Sequence, residues 1–432
     1  IQQVCEGDKM AKDGNRARQA ALHLIQGVML EQVQMSDLTG PIGPLGGLTP
    51  QEKAAAQRLA LSTLRHGGRA DAVLHPLMRK HPPEAAKIVM RMAVVEMLQE
   101  GAAPHGVVNA AVNLMRADRD TAPMAGLANA VLRRASEFQG WDDLPPQKMP
   151  GWLRGRLESR LGRAGVQALE VAHAAGAPLD ITPKSGDAAA LAARLGGQVT
   201  PTGSVRLPAT VQVTALDGYE AGDWWVQDAA AALPVKVLNP QAGERVLDIC
   251  AAPGGKTMQM AASGADVTAL DISGPRVKRL TENLTRTGLN ADVVVADALT
   301  YEAAPFDAIL LDAPCSATGT LRRHPDLPFA RDGKAIKPLF PLQSDMIDRA
   351  LSLLKPGGRL VFCTCSLLPE EGEDQARAAL ERHPDLEVVK PDADWVEDAW
   401  HSDEGGLRLR PDYWPEIGGM DGFYIVMLRK PA

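Results

Sequence analysis

Two cysteines, Cys315 in LDAPCSATG and Cys365 in FCTCSLLPEE, fall where two strands of a nucleotide-binding sheet are expected to end. One thiolate can add to a ring carbon, and a second group can help undo the adduct. Carbon 5 of cytosine is a poor nucleophile until a thiolate attacks carbon 6 and turns carbon 5 into an enamine carbon. A base must afterwards remove the proton at carbon 5 so that the thiol is eliminated. Cys365 and Cys315 suit the nucleophile and the release step. Asp312, three residues before Cys315, is placed to hydrogen-bond the ring nitrogen and the amino edge. A proton held or shared there would ease the attack. An amino-group methyltransferase instead uses an Asn/Asp-Pro-Pro-aromatic loop; here the loop reads DAPC, with a thiol in place of the aromatic residue. The competing reading is that strand cysteines are small core fillers, and Cys363 and Cys250 are read that way. The CxC at 363–365 has no further ligands beside it, so no metal site is expected.

A third segment, VLDICAAPGGKT, carries Gly254–Gly255 between a strand and its helix, where backbone can approach a ligand and present N–H groups. A Walker A loop requires glycine at position 250, which is Cys250, and a dinucleotide fingerprint requires G-x-G-x-x-G, which APGGKT lacks. What remains suits adenosylmethionine. Asp271, ending the second strand, can accept from both ribose hydroxyls, and Asp297, ending the third, can reach the adenine amino group. A strand-end Asp also serves simply to cap the next helix.

Strands RVLDIC, DVTALD, ADVVVAD, FDAILLDA and GRLVFCTCS alternate with helices from residue 244 on. That order predicts a parallel, doubly wound α/β sheet with ligands at the strands' carboxyl ends. The tail, LRLRPDYWPEIGGMDGFYIVMLRK, predicts a hairpin at the sheet edge. Residues 1–140 read as an all-helical domain, with breaks expected at Gly46–Gly47, Gly67–Gly68, Pro82–Pro83 and Pro104. The proline-rich run DLPPQKMPGW marks a boundary. A small mixed subdomain over residues 150–236 follows, then the catalytic domain over 237–432. Trp224–Trp225 either bind substrate or are buried at a seam, and Asp228 is read as the N-cap of the helix DAAAALPVKVL.

The net charge of −7 argues against a bulk nucleic-acid binder, although residues 1–150 hold 17 Lys/Arg against 15 Asp/Glu. Two local clusters, Arg154/Arg156/Arg160/Arg163 and Arg322/Arg323 with His324, are candidates for RNA phosphates, the alternative being ordinary solvated charge. Five cysteines without framework spacing suit a reducing cytoplasm. No apolar stretch is long enough to span a membrane, and no secretory signal is read at the start, which is Ile rather than Met.

VLDICAAPGGKT, LDAPCSATGTLRRHPD and LLKPGGRLVFCTCSLLPEE, in that order, resemble the RNA 5-methylcytosine methyltransferases, and among them the bacterial Sun/RsmB-type 16S rRNA branch, over residues 150–432. The helical first third resembles the NusB-like RNA-binding domain of that branch. The resemblance implies a Rossmann-like methyltransferase domain using S-adenosyl-L-methionine on ribosomal RNA, with Cys365 as nucleophile and Cys315 assisting release. Cys250, Ala251, Ala252, Pro253, Gly254, Gly255, Lys256, Asp271, Asp297 and Asp312 match cofactor-site positions. A cytoplasmic monomer is expected. Two departures stand out: Gly372 where the family usually has Asn, and LDITPKSGD in place of a Leu-Arg-Val-Asn segment. A transfer-RNA substrate, amino-group methylation and a non-catalytic assembly factor remain as alternatives. The target base must be unpaired or flipped out, because a duplex covers both faces of carbon 6.

Overall fold

The structure, a computed structural model, describes residues 2–40 and 42–432, with side chains from residue 15 onward. The chain divides into two compact units: residues up to 174 with His324–Asp332, and Ala175–Arg323 with Gly333–Ala432.

The first unit is helical, with helices Gln2–Met29, Pro50–Leu74, Glu84–Leu98, Pro104–Ala117, Ala125–Ala135 and Gly151–Ala175. Apolar residues at helical spacing bury one face of each, and Leu24, Ile25, Val94 and Met115 are fully enclosed. Thr49 and Glu52 start the second helix as a capping box: Glu52 N donates to Thr49 Oγ1 at 3.3 Å and Thr49 N to Glu52 Oε2 at 2.7 Å. The break expected at Gly67–Gly68 does not occur; the helix runs through to Leu74. These glycines make room instead, since a Cβ on Gly68 would stand 2.9 Å from Gln147 Oε1, which accepts from the Gly68 N–H. The unit also continues past the proline-rich run. Met149 N donates to Glu170 at 3.0 Å and Trp152 Nε1 to the Pro328 carbonyl at 3.2 Å, tying the last helix to the bundle. The segment read as a separate middle part is therefore split between the two units. No helix among the described residues is long and apolar enough to cross a membrane.

The second unit opens with four short strands, β1 (Leu179–Pro183), β2 (Gln198–Val199), β3 (Val205–Leu207) and β4 (Trp224–Val226), in an antiparallel sheet of order β2-β3-β1-β4. The main sheet follows: β5 (Arg245–Ile249), β6 (Asp266–Asp271), β7 (Asp292–Val295), β8 (Phe306–Asp312), β9 (Leu354–Thr364), β10 (Glu387–Val388), β11 (Leu407–Leu409) and β12 (Phe423–Arg429). Its order is β10-β12-β9-β8-β5-β6-β7, with β7 through β9 parallel and β12 antiparallel to β9. The chain winds outward from β5 to β7 and then returns to β8 on the other side of β5. A crevice opens where that order reverses, at the carboxyl ends of β5 and β8. β11 and β12 pair as the tail predicted, yet β12 is no edge strand: it sits between β9 and β10, and FYIVMLR, apolar on both faces, is buried along most of its length.

Candidate active site

The glycine turn leaves β5 at Cys250, whose φ is 64°, and enters the helix Gly255–Ala262 through Gly254 at φ 103°. That φ favours glycine, and a Cβ on Gly254 would lie 3.1 Å from Leu280 Cγ. Asp271 braces the turn from the end of β6, accepting from Ala252 N at 3.1 Å and Ser273 N at 2.9 Å. A cavity of about 330 Å³ opens beside it, lined by Cys250, Ala251, Ala252, Pro253, Gly255, Lys256 and Asp312 of the predicted set. Gly254, Asp271 and Asp297 are not on its wall. Asp297 lies two residues beyond β7, is exposed, and accepts from Leu299 N at 2.9 Å, so its present role is to cap a turn.

Both tryptophans of β4 are buried, but only Trp225 reaches the cavity, donating to Gln227 Oε1 at 2.8 Å; Trp224 packs against Tyr219.

Asp248, on β5, went unassigned from the sequence, although its place in VLDIC just ahead of the turn is a readable signal. It is fully buried on the cavity wall. Oδ2 accepts from Thr257 Oγ1 at 2.6 Å, and Oδ1 has no partner. Burial, above all, pushes its carboxyl up to about 7. Opposite it, Lys256 Nζ meets Asp312 Oδ2 at 2.8 Å and lies 5.4 Å from the Phe423 ring centroid. Burial alone would lower the Lys256 ammonium, but Asp312 and neighbouring negative groups outweigh it and hold it above its ordinary range. Lys256 therefore keeps its proton and donates a hydrogen bond to the Asp312 carboxylate. Cys363, buried as expected of a filler, lies 3.6 Å from Asp312 Oδ1.

Cys315, three residues after β8, and Cys365, the first residue after β9, bring their sulfurs to 3.4 Å at the carboxyl edge of the sheet. Both are half-buried, and neither is on the wall of the glycine-turn cavity; Asp312 joins that wall to the cysteine loop. The hydrogen bond to Cys365, then burial, then the charges of Cys365 and Glu371 hold the Cys315 thiol well above its ordinary range. Cys315 thus keeps its proton at this spacing. Cys250, Cys315, Cys363 and Cys365 are in no disulfide, and the Cys5 side chain lies outside the described residues.

Arg322 and Arg323, expected to meet RNA, are instead drawn into a charge cluster, Arg322 buried and Arg323 half-buried. Arg322 is 1% exposed and reaches Asp228 at 3.5 Å and Asp421 at 3.4 Å; Arg323 reaches the same two carboxylates at 2.5 and 3.0 Å. The Arg322 guanidinium, committed to two buried carboxylates, is not available to phosphate. Asp228 is likewise more than a helix cap: its Oδ1 accepts from Ala230 N at 2.8 Å and Asp421 N at 3.1 Å, and the helix itself begins only at Leu233. His324 is exposed. Arg154 is half-buried and paired with Glu158 at 2.8 Å and Glu170 at 3.1 Å, and Arg156 is half-buried on the same helix. Gly372, the departure in the motif after Cys365, is explained by crowding: a Cβ there would stand 2.5 Å from Arg408 Nη2 and 2.8 Å from Tyr424 Cγ.

A doubly wound sheet with a glycine turn at the β5 switch point and a cavity beside it suits a nucleoside-bearing cofactor, and the family match makes the class that of the adenosylmethionine-dependent methyltransferases. The chain belongs to the 16S rRNA methyltransferase RsmB/F family, which matches residues 235–429, while the NusB family matches residues 15–137. It is 33% identical to the "Ribosomal RNA small subunit methyltransferase B" of Salmonella arizonae, across 97% of this chain and all (100%) of that one. The protein of that name from Vibrio cholerae is 34% identical, across 89% and 91%. Among solved structures, a methyltransferase homologue from Pyrococcus horikoshii is similar at TM-score 0.55 and 29% identity, over 64% of this chain and 93% of that one. The crystal structure of PH0851 shares the fold at TM-score 0.72 and 22% identity, over 96% and 99%.

Proposed function

We infer that this chain methylates carbon 5 of a cytosine in 16S ribosomal RNA, using S-adenosyl-L-methionine. The observation that carries this reading is the pair of thiols 3.4 Å apart on adjacent strand ends, next to the carboxylate that leads into the glycine-turn cavity. The cavity fits the cofactor: its volume suits a small ligand, the helix start at Gly255 offers N–H groups, and the orphaned Asp248 Oδ1 is an acceptor for an ammonium group. Cys250 through Lys256 and Asp312 would hold it, with Asp271 and Asp297 at the neighbouring strand ends. When bound, it supplies an electrophilic methyl group on a sulfonium.

This chain's residues do the rest. The Cys365 sulfur adds to carbon 6, and Asp312 with the Lys256 proton steadies the negative charge that moves into the ring. Cys315 holds its proton while the Cys365 sulfur lies 3.4 Å away. Once that sulfur is bonded to carbon 6, the repulsion is gone and Cys315 gives its proton to water. It is then placed to take the proton from carbon 5 as the carbon–sulfur bond breaks.

We propose residues 1–140 as the RNA-binding part, 150–236 as a docking segment with Arg154 and Arg156, and 237–432 as the catalytic domain. We also place the protein in the cytoplasm, where thiols stay reduced, as a monomer, since one chain supplies every residue the reaction uses. The test is a pair of variants. Cys365→Ala abolishes methyl transfer to 16S rRNA. Cys315→Ala leaves a protein–RNA adduct that survives a denaturing gel. Full turnover in Cys315→Ala without any adduct contradicts the assigned roles.

A further inference from the structure

The two cysteine loops are joined by a buried carboxylate that the reaction above does not use. Glu371 is completely buried, and its oxygens accept from Ser316 N at 2.9 Å, from Ser366 Oγ at 2.5 Å, from Gln343 Nε2 at 3.2 Å and from Ser316 Oγ. Ser316 and Ser366 are the residues directly after Cys315 and Cys365. The residues directly before them are held as well. The Pro314 carbonyl accepts from Gln343 Nε2 at 2.8 Å, and Thr364 Oγ1 donates to the Glu371 carbonyl at 2.9 Å. Each thiol is therefore bracketed on both sides by hydrogen bonds that converge on Glu371 or on its partner Gln343. Thr318 completes the tie, with its hydroxyl 3.1 Å from Ser366 Oγ and accepting from Leu367 N at 3.0 Å.

We propose that Glu371 is the positioning residue of the two-thiol centre, holding the Cys315 and Cys365 loops at the spacing that lets one sulfur serve the other. The inference rests on the two-cysteine reading above. Burying a carboxylate is costly, and an apolar side chain of similar size would fill the same space at no such cost if packing were all that mattered. The carboxylate matters because it accepts from donors on both loops at once, which no apolar group can do. Its charge also adds to the effects that keep the proton on Cys315.

The experiment compares wild type, Glu371→Gln, Ser366→Ala and Ser316→Ala on 16S rRNA, with circular dichroism confirming that each is folded at the assay temperature. Glu371→Gln keeps the shape but puts a donor where two hydroxyls donate. Its kcat falls by about 10- to 100-fold, the cost of a small misplacement of reacting groups, while KM for RNA stays within about twofold. The fraction of enzyme trapped as protein–RNA adduct rises, because release through Cys315 is slowed. Each serine variant shifts both readouts in the same direction by a smaller factor. In a Cys315→Ala background, Glu371→Gln adds little to adduct accumulation, since its partner is already gone. A folded Glu371→Gln with wild-type kcat and adduct level overturns the proposal, and so does a full additional effect in the Cys315→Ala background. If Glu371→Gln does not fold, the serine variants decide by the same criteria. Absence of methylation by wild type would sink the parent reading instead.

Discussion

Buried polar side chains do different work in the two compact units. In the helical unit three of them serve nearby backbone: Glu52 closes its own helix cap, Thr63 donates to Leu59 O at 2.7 Å, and Thr121 to Met115 O at 2.9 Å, while Asp326 reaches farther and accepts from Met35 N at 3.0 Å. In the sheet unit they join residues far apart in the chain. Asp228 accepts from Asp421 N, Glu371 from the Ser316 loop, and Arg206 meets Asp180 at 2.7 Å. A helix satisfies its own backbone, so a bundle needs little more than apolar stripes. A crevice at the ends of parallel strands is made of loops, which have no ladder of their own and must be fixed by side chains. The interior of the second unit is charged where it positions chemistry.

The contrast can be broken by substitution. The largest effect is expected for Arg322→Met, which leaves Asp228 and Asp421 facing each other with one cation fewer. It costs about 3–5 kcal/mol of unfolding free energy, measured by urea denaturation. A cost below about 1 kcal/mol would make the cluster ornamental and erase the distinction drawn here.

Next is the pH response of Asp248. In the unfolded chain its carboxyl titrates near the usual ~4, and in the fold at about 7. The native state therefore holds the extra proton across that window, and stability falls as pH rises through it. Asp248→Asn removes this penalty and gains about 4 kcal/mol over wild type at pH ~8, with the difference vanishing near pH ~4. Denaturation midpoints at the two pH values test it; a constant difference contradicts it.

His66, in the helical unit, behaves in the opposite sense. Burial, then Arg65 and Arg69, lower its imidazole to about 4, and Nδ1 has no partner. The unfolded chain, titrating near ~6.5, takes up the proton first, so stability falls as pH drops from there towards 4. His66→Phe keeps the edge contact with Trp141 and gains about 2 kcal/mol relative to wild type at pH ~5. The check is the same pair of melts at pH ~5 and ~7; a gain independent of pH counts against it.

The smallest effect belongs to the Thr49 cap. Thr49→Ala costs about 1 kcal/mol, read as a lowered melting temperature, and leaves kcat unchanged.

Several features were legible because they depend on neighbours in the chain. The helical first domain, the glycine turn and the strand-end cysteines all follow from local spacing and period. The glycine pair at 67–68 was misread because glycine's backbone freedom suggests a break, whereas the packed Gln147 side chain called for a small residue there. Arg322 and Arg323 were misread because adjacent arginines look solvated until the carboxylates that claim them, both almost a hundred residues distant, are seen to converge.

By itself the sequence determined the alternation of strand and helix, the place of the glycine turn and the two thiols, because periodicity and backbone preference are local properties. The tertiary structure alone decided that the two sulfurs lie 3.4 Å apart, that Lys256 donates to Asp312, and that Glu371 ties both loops. Those contacts join segments some fifty residues apart, and only the order in which the strands pack brings them together.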